Sequence, residues 1–176
     1  MQCVFCHPDL SARIALDLMS TPASIFSTEW DYPSQLLHAA RQMMVTGRHE
    51  VAVVTAQMAC EVCAERVIST YFRFREVEFL EDSVEDLLPS YNLANDKVRR
   101  IYVALTQDQI HQQYFWSEYK TMVSIRNKAV HAGVRIQESQ AQMVSRIATS
   151  VVKHLQAVER RAIQVGATTQ DIKPSY

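Results

Sequence analysis

Glycine is scarce in this chain, with three in 176 residues. Gly47, Gly133 and Gly166 each follow a stretch with helical periodicity, where a left-handed residue ends a helix. Alternating β-branched runs bounded by turn residues are also missing, which argues against a sheet. No apolar run is long enough to span a bilayer, and the N-terminus lacks a basic region followed by an apolar one. The expectation is a soluble, cytoplasmic protein without a membrane partner. Excess charge is missing too: 18 Lys and Arg against 19 Asp and Glu leave a net charge of −1. The whole-molecule field therefore does not draw in nucleic acid, and any polyanion must be held by a local patch.

What is present is a core. Apolar residues make up 48% of the chain, enough for one domain that folds unaided. The four cysteines fall in two pairs, Cys3/Cys6 and Cys60/Cys63. Cys3-Val4-Phe5-Cys6-His7 matches the short haem-attachment pattern, but no export signal precedes it. The second pair lies inside a helical apolar run, where zinc knuckles rarely sit. Cys60 and Cys63 are therefore expected as small core residues and Cys3 and Cys6 as part of a loose terminus. No histidine pair has metalloenzyme spacing beside a carboxylate. Neither a metal nor a cofactor is expected.

The periodicity predicts an all-α, antiparallel bundle of four to five helices over 31–165, an irregular arm over 1–30 and a tail over 166–176. Asp31 is the expected N-cap of a first helix over 33–46, with Pro33 in its first turn. A second helix, over 49–72, is apolar on most sides and so central. Its polar exception is the line Gln57, Glu61 and Glu65, which reads as a solvated stripe or as carboxylates with partners near the core. An acidic connection (Glu76, Glu78, Glu81, Asp82, Glu85, Asp86) leads into a helix near Ser83. A further helix is expected over 92–105, with Lys97, Arg99 and Arg100 on its polar face. The last two are expected over 108–132 and 137–163, with near neighbours antiparallel.

The helix over 108–132 ends in Arg126-Asn127-Lys128-Ala129-Val130-His131-Ala132-Gly133. A guanidinium is a permanent cation shaped for phosphate oxygens, and an imidazole takes and gives protons near neutrality. Such a pair suits phosphodiester chemistry without a metal. Arg126 would stabilise charge on the phosphoryl oxygens, His131 would move the proton, and Asn127 would orient His131 or the phosphate through its amide. Lys120, Lys128 and Arg135 make the neighbourhood basic, with only Glu118 opposing them, so RNA would be held there. Residues five apart lie about 140° apart on a helix, so Arg126 and His131 do not share a face. The structural alternative is a His131 that meets the helix dipole and an Arg126 that pairs with Glu61 or Glu65.

The motif resembles the RNxxxH form found in the HEPN superfamily. The order and length of the helices over 33–161 are also similar, as are Met44-Val45-Thr46-Gly47 and Ala56-Gln57-Met58-Ala59-Cys60-Glu61. The resemblance implies a metal-independent endoribonuclease with a composite site in a homodimer cleft. It would act by 2′-hydroxyl attack to leave a 2′,3′-cyclic phosphate, with Glu61 and Glu65 as possible supporting acids. A toxin or phage-defence effector restrained by a cognate antitoxin or regulatory protein fits that pattern. The competing reading is a non-catalytic HEPN-like module for dimerisation or for binding RNA or protein; Tyr114 and Trp116 could anchor a protein partner, but are expected to pack in the bundle.

Overall fold

The computed structural model describes residues 31–170, with side chains described through residue 164. Every regular element among them is helical: α1 (Tyr32–Val45), α2 (His49–Phe74), α3 (Glu81–Leu87), α4 (Asp96–Thr106), α5 (Trp116–Ala132) and α6 (Glu138–Gln170). Single 3₁₀ turns at Glu78–Leu80 and Ile110–Gln112 precede α3 and α5. No helix among the described residues is long and apolar enough to cross a membrane. The arm over 1–30, with Cys3 and Cys6, lies outside the described residues, as does the end of the tail.

Helix α2 is central, as its nearly all-round apolar pattern predicts, and packs most extensively on α6 and α1. Small residues on both sides allow a close approach: Ala56, Ala59, Cys60, Cys63 and Ala64 face a core that includes Ala148, Val151 and Val152. The Cys60 and Cys63 Sγ atoms lie 3.9 Å from the carbonyl oxygens of Ala148 and Val152. Both cysteines are core residues, as expected. Residue numbers rise together along this seam, so α2 and α6 are parallel. Helix α1 runs against them, since Arg41 reaches Thr149 while Asp31 reaches Gln156. The short turns therefore make sequential neighbours antiparallel, whereas the most intimate pair is parallel.

Several ends differ from expectation for local reasons. Asp31 does not cap α1 with its side chain. Its carboxylate takes Arg66 at 2.9 Å and Gln156 at 2.8 Å, and Arg66 also reaches Glu159 at 2.7 Å. Burial pushes the Asp31 carboxyl up, but hydrogen bonds from Ser34, Gln156 and Arg66, with the Arg66 charge, hold it below its ordinary range. The helix expected from 108 begins only at Trp116. Asp108, a natural capping residue, instead accepts hydrogen bonds from Tyr102 Oη and His154 Nε2, each at 2.8 Å. Ile110 and Phe115 are buried, which pins this connection down. Helix α6 runs through Gly166 to Gln170 rather than ending at 163, because one interior glycine costs a helix only about 1 kcal/mol.

The Asp108 node joins the start of the α5 connection to α6. Burial raises its carboxyl, but the bonds from His154 and Tyr102, with the charges of His154 and Arg161, hold it below the usual carboxylate range. A depressed carboxyl contributes stability at neutral pH and loses that contribution as pH falls through its folded value, below about 4. Asp108→Ala should cost about 1–3 kcal/mol in urea unfolding at neutral pH, because Tyr102 and His154 lose their acceptor. The gap between variant and wild type should narrow on acidification to about pH 3. A gap that is constant with pH would contradict this assignment.

Candidate functional site

The motif occupies the last two turns of α5, which Gly133 closes in the left-handed conformation at φ 60°. Gly47, after α1, has φ 73°, so two of the three glycines stand where helix endings were expected. Tyr119 and Met122 are buried on the inward face of α5. Arg126 lies seven residues after Tyr119, within about 20° of it in projection, so its stem follows the inward face and the residue is half-buried. Asn127 and His131 turn away by about 100° and 140° and are exposed. The separation of Arg126 from His131 that the spacing predicts is therefore present in the helix.

Arg126 Nη1 donates to Asn127 Oδ1 at 3.1 Å, which joins two of the three motif side chains. Arg126 Nε is buried and has no acceptor among the described residues. The imidazole of His131 has neither a hydrogen-bond nor an ion-pair partner among them. Lys120, Lys128 and Arg135 are all exposed. Glu118, the one carboxylate on the motif helix itself, is engaged by Arg146 at 3.2 Å.

The two supporting carboxylates are not brought to Arg126. Glu61 is half-buried and accepts from Gln57 Nε2 at 3.0 Å. Glu65 sits near Glu81 and Glu85, and partial burial together with those two carboxylates pushes its pKa up. The polar line on α2 is thus not one solvated stripe. Gln57 is fully buried, whereas the apolar Met58 beside it is 42% exposed. Trp116 packs with its ring centroid 5.3 Å from that of Tyr119 and beneath Arg99, while Tyr114 is 83% exposed. On α4, the basic face is partly neutralised, because Arg99 and Arg100 both pair with Asp96.

One feature of the site escaped the sequence reading. A groove of about 550 Å³ borders the inward face of the motif helix, lined by Ala129, Gly133, Arg135 and Ile136 and, from the start of α2, by Gly47, His49 and Glu50. His49 Nδ1 lies 3.3 Å from the Ile136 carbonyl oxygen, and Glu50 Oε1 accepts the Ile136 N–H at 2.9 Å. Both backbone groups of one residue are held, so the chain leaving the motif is fastened to α2. The Ile136 N–H and the backbone N–H of Glu50 itself keep the Glu50 carboxyl below its ordinary range, against a small opposing desolvation, with help from the Arg135 charge and from His49 when its ring is protonated. Nothing in the local composition around 49–50 signals this contact, which joins residues far apart in the chain.

The positive φ at Gly133 makes it the conformational keystone of the helix end. A Cβ there meets nothing within 4 Å, so a substitution is penalised by backbone strain and not by a clash. Gly133→Ala should lower unfolding free energy by about 1–2 kcal/mol. His131→Ala, on an exposed side chain with no partner among the described residues, should stay within about 0.5 kcal/mol of wild type. Chemical denaturation followed by circular dichroism measures both. Comparison with known proteins returns no match to the chain, whether among family models, curated proteins or solved structures.

Proposed function

We propose that this protein is a metal-independent endoribonuclease of the HEPN type. The observation that carries the reading is that the fold leaves two groups of the motif, the His131 imidazole and Arg126 Nε, without a partner among the described residues. His131 is exposed, and the Nε of Arg126 is buried. Exposed Lys120 and Lys128 beside the motif supply the local cationic patch that a near-neutral chain needs to hold RNA.

In the proposed reaction the 2′-hydroxyl oxygen of RNA attacks the adjacent phosphorus while its proton is removed. The bond from phosphorus to the 5′-oxygen breaks, and the leaving oxygen takes a proton. His131 serves one of these transfers, Arg126 stabilises the charge on the phosphoryl oxygens, and Asn127 holds the guanidinium in place. The products are a 2′,3′-cyclic phosphate end and a 5′-hydroxyl end.

Because Arg126 and His131 point apart on one helix, the complete site is a composite of two copies in a homodimer. Val130 and Val134, 47% and 45% exposed beside His131, supply apolar surface for that contact. Restraint by a cognate antitoxin or regulatory protein fits an enzyme of this kind.

On a denaturing gel of labelled RNA in the presence of a chelator, His131→Ala should cut about 10²–10⁴ times more slowly than wild type. Arg126→Lys should not restore what Arg126→Ala loses, since an ammonium cannot hold two oxygens in a planar fork. DNA should resist. Wild-type cutting by His131→Ala, or full activity from a strict monomer in ultracentrifugation, would overturn the proposal.

A further inference from the structure

The groove beside α5 has a chemistry of its own, separate from the proton transfer assigned to His131. Its polar wall holds one imidazole, one carboxylate and one guanidinium: His49, Glu50 and Arg135. The carbonyl oxygen of Ile136 can only accept, so the Nδ1 that faces it at 3.3 Å carries the proton in the neutral ring. Nε2 is then left with its lone pair, and it has no protein partner among the described residues. Glu50 spends Oε1 on the Ile136 N–H. The groove thus offers acceptors at fixed positions, with a cation at its rim.

Acceptors of this kind fit a hydroxyl, and a cation fits a phosphodiester; a ribonucleotide unit carries both. A deoxyribonucleotide keeps the phosphate and loses the hydroxyl. Because the two residues that hold the acceptors also clamp the chain directly after the motif, a ribose bound there sits against the end of α5. We infer that the groove is a ribose-reading subsite, in which His49 Nε2 accepts a hydrogen bond from a 2′-hydroxyl of single-stranded RNA and Arg135 holds the neighbouring phosphate. The inference rests on RNA being the substrate, as proposed above, but assigns His49 to recognition and not to the reacting atoms. Glu50 and Arg135 are the charged groups lining the groove around His49, and their opposite signs leave recognition of the hydroxyl to decide between strands.

The test measures binding and does not depend on cleavage. Fluorescence anisotropy of labelled single strands of about 12 nucleotides, RNA and DNA of matched sequence, is read in the His131→Ala background. His49→Phe keeps a flat ring but neither polar nitrogen. It should weaken RNA binding by about two- to tenfold, the worth of one hydrogen bond, and leave DNA binding unchanged. His49→Gln supplies an amide donor for Ile136 and a carbonyl acceptor for the hydroxyl, and should keep the preference for RNA. Arg135→Ala should weaken RNA and DNA alike and reduce the salt slope by about one.

A circular dichroism spectrum of each variant matching the parent secures the comparison. His49→Phe that weakens both strands equally, or neither, overturns the inference, as does a parent protein that binds no RNA. Wild-type protein that fails to cut RNA while the His49 variants behave as stated refutes the ribonuclease reading alone. Wild-type protein that cuts RNA while His49→Phe keeps its full RNA preference refutes the groove alone.

Discussion

The close approach of α2 and α6 is the constraint on which the rest of this structure depends. Two long helices lie side by side because α2 presents Ala56, Ala59, Cys60, Cys63 and Ala64 where larger side chains would hold them apart. The near-complete burial of Val53, Val67, Val151 and Leu155 follows from that contact. Burial of apolar surface stabilises at about 25 cal/mol per Å². The polar fastenings at the rim, Arg66 between Asp31 and Glu159 and Asp108 between Tyr102 and His154, fix direction and register. Once the seam is set, α1 and α5 have only the remaining flanks of α2 to cover, and the motif helix is placed by default.

Much of the fold was legible because helical periodicity is a local property. The first, second and last long helices begin within a residue of the positions their patterns indicate, and Gly47 and Gly133 adopt the left-handed conformation their positions suggest. What was not legible was decided across the chain. Asp31 and Asp108 look like caps in isolation, yet each is taken by partners brought in by tertiary packing. Gln57 and Met58 exchange the environments their polarity suggests, since α5 covers one side of α2 and leaves another open. The motif itself was readable as a string, and so was the divergence of Arg126 from His131, which is a matter of helical angle. The groove behind it was not, because His49 and Glu50 meet Ile136 across more than 80 residues of chain.

The two sides of α5 do different work. The inward side carries Tyr119, Met122 and the stem of Arg126, and it sets how far the guanidinium sits from water. The outward side carries Asn127 and His131, both exposed. Tying Arg126 to Asn127 couples the sides across a single peptide step. A helix with one buried side and one exposed side can tolerate change on its outward side without loss of fold, so substitutions at Asn127 and His131 leave stability nearly unchanged whereas substitutions at Tyr119 or Met122 do not.

The buried thiols have a practical consequence. Burial raises the Cys63 thiol to about 12 and pushes Cys60 well above its ordinary value. Only the thiolate attacks a thiol reagent, so neither sulfur reacts while the seam is shut. Modification at Cys60 or Cys63 must wait for α2 and α6 to part. The chain therefore carries an internal clock, and the rate at which these two sulfurs are labelled counts the openings of the seam between α2 and α6.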